Sequence, residues 1–389
     1  NPLQSSSTIG MNPNLKPEKT SSIEAGFEAA FWDNRLCLDF TYYKTDSRNQ
    51  ILKLATTAAS GYTSQVRNAG HIRNRGYEIQ LGAVPIQTSK GFRWNLDLNY
   101  GANSSKVVKL DDEGLIASYQ LYSSGIQILA SVGEAYGTLF GTSYVRDANG
   151  NVVVDANGLP KISTTNKTLG KFTPDWTGGI SNTFSYRSLS LSFLIDASVG
   201  GSIFSNTNKT GKYTGVLANT LSGRDAEHGG LWYYTAAMGN NVRLPESPSY
   251  SVSSDGLYYA QVNGQSTRVY QDGIMVEGVT ESGSKNEEVV SAEKYYHRIY
   301  SIAEANVYDA SYVKLREVAL SYRLPRLWTQ KLHLQEASVT LTGRNLWTIY
   351  KSVPNIDPES ALTTGNAQGV EAYSLPTTRS FGVNLSVKF

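Results

Sequence analysis

No stretch of about 18 consecutive apolar residues occurs anywhere in the 389-residue chain, so a membrane-spanning helix is excluded. Cysteine is nearly absent: Cys37 is alone, and an internal disulfide is impossible. Charge of either sign is sparse at 17% and nearly balanced at +2, with the basic residues dispersed. That removes the basic stripe a nucleic-acid partner requires. The four histidines (His71, His228, His297, His333) are scattered, and no H-E-x-x-H, G-x-S-x-G or phosphate-loop pattern appears. Carboxylate pairs such as Asp111-Asp112 sit in expected loops with no catalytic motif around them, so no catalytic residue, cofactor or metal site is expected.

What is present is alternation. The last nine residues place Phe381, Val383, Leu385, Val387 and Phe389 against Gly382, Asn384, Ser386 and Lys388. Period two means a β-strand with one oily and one wet face, and a terminal strand ending on an aromatic is typical of bacterial outer-membrane barrels. A mean hydropathy of -0.32 agrees, because half of each barrel strand faces the lumen. Aromatics make up 11% of residues, which suits a protein with two membrane interfaces to anchor.

About nine such segments follow one another. The first runs from Thr20 to Trp32 with Ile23, Ala25, Phe27, Ala29 and Phe31 on one face, and Asp33-Asn34 turns it into a second with Leu36, Leu38, Phe40 and Tyr42. The third is expected over Tyr77 to Ala83 and the fourth over Phe92 to Tyr100, joined near Thr88 to Gly91. The fifth (Asp175 to Tyr186) and sixth (Ser188 to Gly200) meet at Arg187. The seventh, Ala310 to Leu324, changes phase between Leu315 and Val318, which predicts a β-bulge. The eighth is expected from Lys331 to Trp347 with a shift near Gln335-Glu336, and the ninth closes the chain.

Short links alternate strictly with long ones: Arg48 to Gly70, Ser104 to Pro174, Gly201 to Asp309 and Ile349 to Pro376 are long. Outer-membrane barrels have short periplasmic turns and long extracellular loops, so the long set is expected outside. Phe31, Trp32, Phe92, Trp94, Tyr186 and Trp328 then fall near the periplasmic rim, and Trp347 and Tyr350 near the other. Nine is an odd count, whereas single-chain bacterial barrels have even counts, and an open edge in lipid is costly. Further strands and an export signal are therefore expected upstream of Asn1.

These residues also carry a family resemblance. NPNLKPEKTSSIEAGFEA (Asn12 to Ala29) and NAGHIRNRGYEIQL (Asn68 to Leu81) resemble barrel motifs of TonB-dependent receptors. Pro174 to Ser205, ASYVKLREVALSYRLP (Ala310 to Pro325), TGRNLWTIY with NIDPES, and PTTRSFGVNLSVKF resemble the C-terminal barrel half of SusC-like, RagA-type transporters. The resemblance implies an all-β, transmembrane antiparallel barrel of about 22 strands, of which residues 1–389 supply the C-terminal nine or so. It further implies a plug and a TonB box outside this chain, energy from the TonB complex, a SusD-like surface lipoprotein over the loops, outer-membrane lipid around the wall, and in places a dimer of transporter-lid pairs. The implied activity is TonB-dependent import of a glycan or oligopeptide across the bacterial outer membrane. A siderophore or cobalamin receptor, a passive structural or adhesin barrel, and a soluble carbohydrate-binding β-sandwich are the alternatives.

Inward-facing Glu24, Glu28, Asp39, Glu78, Arg93, Asp97, Asp196 and Lys388 suit either a plug or a hydrated wall. In the longest loop, Trp232, Tyr233, Tyr234, Tyr258 and Tyr259 are candidate ligand or lid contacts, with packing inside the loop as the plainer reading. Phe381, Val383, Leu385, Val387 and Phe389 are the expected barrel-assembly signal. The Asp147-Ala-Asn-Gly and Asp155-Ala-Asn-Gly stretches look like calcium loops, but Val152 and Gly158 stand where an EF-hand needs Gly and Glu, so turns flanking Val152 to Val154 are expected. Asp357-Pro358-Glu359 reads as a capped turn rather than a cation site.

Overall fold

The computed structural model describes residues 9–55, 61–111, 118–245, 248–331 and 333–389. Its frame is one nine-stranded antiparallel sheet in which every strand pairs with its neighbours in sequence. The strands are β1 (Lys19–Phe31), β2 (Leu36–Arg48), β3 (His71–Gln87), β4 (Phe92–Lys109), β5 (Trp176–Tyr186), β6 (Leu189–Val199), β7 (Tyr312–Arg323), β8 (Glu336–Lys351) and β9 (Ser380–Lys388). Among the described residues the outer edges of β1 and β9 stay unpaired, so the sheet is an arc rather than a closed ring.

Register follows from the alternation. Along one cross-strand row stand Ala29, Leu38, Leu81, Leu98, Ile180, Ile195, Leu315 and Trp347; along the adjacent inward row stand Glu28, Asp39, Gln80, Asn99, Gly179, Asp196, Lys314 and Thr348. A one-residue slip in any strand would exchange these rows. The oily face has no protein covering it. Phe381 is 81% exposed, Leu385 65% and Leu191 39%, the reverse of a water-soluble core. Aromatic rings tile this skin: Trp94 stacks on Phe184 at 5.6 Å and Tyr77 on Tyr100 at 5.9 Å. Asn182 is polar on the oily face, and the Trp94 Nε1–H donates to its Oδ1 at 3.0 Å, so neither group faces hydrocarbon unpaired.

Several boundaries differ from the sequence expectation. β3 begins at His71 and β4 runs to Lys109, each continuing beyond the oily segment because outside lipid the outward side chains need not be apolar. β8 starts at Glu336, not Lys331: Lys331 ends a short helix, α3 (Arg326–Lys331), that fills the link after Pro325. The shift near Gln335-Glu336 is thus the start of the strand and not a bulge within it. β8 then extends past Trp347 to Lys351. The bulge in β7 is where the phase change placed it, with Leu194 opposite Glu317 and Ile195 opposite Leu315, leaving Arg316 unopposed.

The buried core lies in the long connections. Ile126, Ile128 and Leu139 from one, Phe204 and Ala303 from the next, and Val370 from the last form one cluster, with Phe204 and Val370 fully buried. Two helices brace it, α1 (Asn206–Thr214) and α2 (Ala292–Tyr300), the first capped by Ser205, whose Oγ accepts from the Asn208 N–H at 3.0 Å.

Candidate functional site: an inner wall and its mouth

The inward face of the sheet is a polar wall. On β1 to β5, Glu28, Asp39, Asp97, Gln80, Asn99 and Ser181 line an open trough of about 740 Å³. Glu28 and Asp39 are directly opposite each other, a like-charge pairing that a folded sheet gains nothing from. Between β7 and β8 inward charges are instead paired, Arg344 with Glu317 at 2.8 Å and Arg323 with Glu336 at 2.9 Å.

The bulge in β7 aims Arg316 and Glu317 inward together, beside Lys314. Lys314 Nζ donates to Asp357 at 2.6 Å and to Glu359 at 2.5 Å, with only 4% of its side chain exposed. Arg316 donates to Asp196 at 2.7 Å and also to Glu359. Tyr312 donates to Glu359 at 3.0 Å. The Asn355 to Ser360 turn is thereby tied down onto the inner wall at the mouth of the arc. Burial alone would raise the Asp357 carboxyl, but hydrogen bonds from Lys314, Thr377 and the Glu359 N–H outweigh it and bring it to about 2. The capped turn expected here is present, since Asp357 accepts the Glu359 N–H at 3.1 Å. Its partnership with Lys314 was invisible in the sequence, although alternate charges in YVKLRE hinted at an inward role.

A second tie lies further along the same connection. Glu371, fully buried, accepts from Ser205 Oγ at 2.7 Å, Thr207 Oγ1 at 2.5 Å and the Thr207 N–H at 3.3 Å, placing a carboxylate at the N-terminus of α1. On the far side of α1, Lys212 Nζ donates to the Ala305 carbonyl at 2.7 Å and to Asn306 Oδ1 at 3.3 Å, without a carboxylate partner among the described residues. Burial pushes this amine down to about 8.

Of the loop aromatics singled out in the sequence, Trp232 and Tyr233 are buried. Trp232 packs against Tyr250 at 4.9 Å and Tyr258 at 5.4 Å; Tyr233 stacks on Tyr270 at 5.2 Å and donates to Asp272 at 3.0 Å. Tyr234 packs beside Trp232, Tyr259 is half-buried and Tyr258 is 37% exposed, so Tyr258 offers the most open ring of the group. The Asp-Ala-Asn-Gly stretches are turns: Asp147 Oδ1 accepts the Asn149 and Asn151 N–H groups, and Asp155 Oδ1 those of Asn157 and Leu159. Asp155 also holds Arg298 at 3.0 Å. Of the pair Asp111-Asp112, Asp112 lies outside the described residues. Phe381, Val383, Leu385 and Val387 stand outward on β9, and Phe389 follows it, 83% exposed.

An antiparallel meander with an oily outer skin, a polar inner wall, short turns at one rim and packed loops at the other defines a segment of a membrane β-barrel. Residues 1–216 match the family described as TonB dependent receptor-like, beta-barrel. The chain belongs to that family, whose members reside in the outer membrane. Among curated relatives it is 27% identical over 97% of its length to TonB-dependent receptor P3 of Formosa agariphila, covering 35% of that protein. It is 28% identical over 56% of its length to TonB-dependent receptor SusC of Bacteroides thetaiotaomicron, covering 23% of it. The solved structure of the RagAB peptide importer in its closed-closed state is 19% identical, with a TM-score of 0.62, and is matched over 97% of this chain and 36% of that one. The chain spans about a third of the length of the relatives it matches along its whole course, P3 and RagAB.

Proposed function

We propose that residues 1–389 are the C-terminal part of a SusC-like transporter barrel, supplying wall and extracellular loops for TonB-dependent import of a glycan or oligopeptide. The carrying observation is the division of one continuous sheet into an oily outer skin and a polar inner wall, with the last long loop tied into the mouth by Lys314 and Arg316. Membrane barrels need that division, and a solute path needs the polar side. The likeness to SusC and RagAB supports nutrient import as the class, and RagAB, a peptide importer, keeps oligopeptides beside glycans. In this reading a plug and TonB box belong to the remainder of the protein, a SusD-like lipoprotein covers the loops, and two such pairs can associate. The aromatics Trp232, Tyr233, Tyr234, Tyr258 and Tyr259 shape the loop surface that meets ligand or lid, and the β9 residues with Phe389 serve as the assembly signal.

Purification of the whole protein from outer membranes, with mass spectrometry of what accompanies it, tests this. A stoichiometric surface lipoprotein and a bound peptide or glycan are expected, together with uptake that stops when TonB is deleted. Uptake that persists without TonB overturns the proposal in favour of a passive barrel.

A further inference from the structure

The oily band on β1 to β4 ends at one cross-strand row and a basic outer face begins at the next. Ala25, Tyr42, Tyr77 and Ala102 stand side by side on the outside; the following outward row is Ile23, Lys44, Arg75 and Ser104, and the one beyond it Ser21, Asp46, Arg73 and Lys106. The inner face at the same height is different in kind, with Tyr43, Gly76 and Asn103 in one row and Thr45, Asn74 and Ser105 in the next. Cations here are thus segregated to the lipid side.

Asp46, the single carboxylate in these two outward rows, is already engaged by Arg73 at 2.9 Å and His71 at 2.5 Å. Lys44, Arg75 and Lys106 have no ion-pair partner among the described residues. A groove of about 370 Å³ opens beside Arg75, lined also by Tyr42, Tyr77, Ser104, Lys171 and Asp175, with Lys171 and Asp175 paired at 2.7 Å; Lys44 and Lys106 are the cross-strand neighbours of Arg75 and Arg73 next to it.

Height fixes what meets this patch. From Ile86 to Tyr77, β3 covers roughly 30 Å at about 3.3 Å per residue, which a tilt of roughly 40° reduces to about 23 Å, close to the height of a barrel's apolar band. Tyr42 and Tyr77 then sit at the interface, where amphipathic rings belong, and Lys44, Arg75 and Lys106 at headgroup level on the long-loop side. A hydrated rim would have no reason to exclude cations from the lumen side.

We propose that this outer-face patch binds the phosphorylated headgroups of lipids in the surrounding outer leaflet, with Lys44, Arg75 and Lys106 contacting phosphate and the Tyr42–Tyr77 groove receiving the adjoining saccharide or glycerol. The inference rests on the membrane-barrel reading and adds a lipid site to it.

The test is native mass spectrometry of the complete transporter in detergent, titrated with bisphosphorylated and monophosphorylated lipid A. Wild type is expected to prefer the bisphosphorylated lipid. The triple variant Lys44→Gln, Arg75→Gln, Lys106→Gln is expected to lose that preference and bind it about tenfold or more weakly, each cation near an anionic surface being worth a several-fold factor. The charge-conserving set Lys44→Arg, Arg75→Lys, Lys106→Arg should retain binding, and heat-modifiable electrophoretic mobility confirms that both variants form barrels. An unchanged lipid A affinity in a correctly assembled Gln variant overturns the lipid site alone. So does loss of an acidic protein partner while lipid binding stays intact. Recovery of the whole protein from the aqueous phase without detergent overturns the membrane reading and the lipid site together.

Discussion

Lys314 has given up nearly all contact with water for two carboxylates, an arrangement that is costly to break from one side because the remaining charge stays buried. Asp357→Asn is expected to loosen the turn by about 1–3 kcal/mol, read as faster hydrogen exchange across 352–379 with little change in β7. The pH dependence has a definite sign. Asp357 titrates lower in the folded protein, at about 2, than when unfolded. Its stabilisation is therefore complete above about pH 4 and is lost as the pH falls toward 2. Pepsin should cut this loop increasingly over that window, relative to sites within residues 201–309. Lys212 behaves oppositely. Its amine is held at about 8, below an ordinary lysine, so burying the charge weakens the fold at neutral pH and that penalty fades as the pH rises from about 8 to about 10.5. Protection of α1 amides, corrected for intrinsic exchange, should rise over that range, and Lys212→Met should remove the trend.

Among the elements, the β7 bulge does the most to shape the mouth. Deleting Arg316 would remove the one unopposed residue and leave Leu315 and Glu317 in regular alternation, so Lys314 keeps its inward face while the ties from Arg316 to Asp196 and Glu359 are lost; alternation decides which side chains meet lipid. Retention of the heat-modifiable folded form, with faster hydrogen exchange across 352–379, is the expected result. On the same logic Leu191→Arg should impair assembly, whereas Ser192→Arg, one residue on and facing inward, should be tolerated. Elements of this kind were legible in the sequence because lipid enforces alternation: Phe92 to Tyr100, Leu189 to Val199 and the phase change after Leu315 could be read directly. Legibility ended where lipid ended. Arg73 and Arg75 continue β3 without an oily face, so its first six residues fall outside the expected strand, and α3 falls almost wholly in the short link ahead of the expected eighth strand because six residues carry too little periodicity to declare a helix.

For the whole molecule, the wall was readable from local pattern and the loops were not. Their core joins Ile126, Leu139, Phe204, Ala303 and Val370, residues far apart in the chain whose meeting no spacing announces. Glu371 and Lys212 were hidden for the same reason, Glu371 finding its partners in another connection and Lys212 at the far end of its own. The one thiol of the chain gives this architecture a chemical readout. Cys37 points inward from β2 beside the Glu28, Asp39 and Asp97 trough and is exposed. A neutral maleimide too bulky for passive diffusion across the outer membrane, offered from outside the cell, would reach it through the pore, and the surrounding carboxylates would slow a sulfonated reagent of the same size. The ratio of the two labelling rates, followed with and without energised TonB, would report when the passage opens and what charge an incoming solute meets inside it.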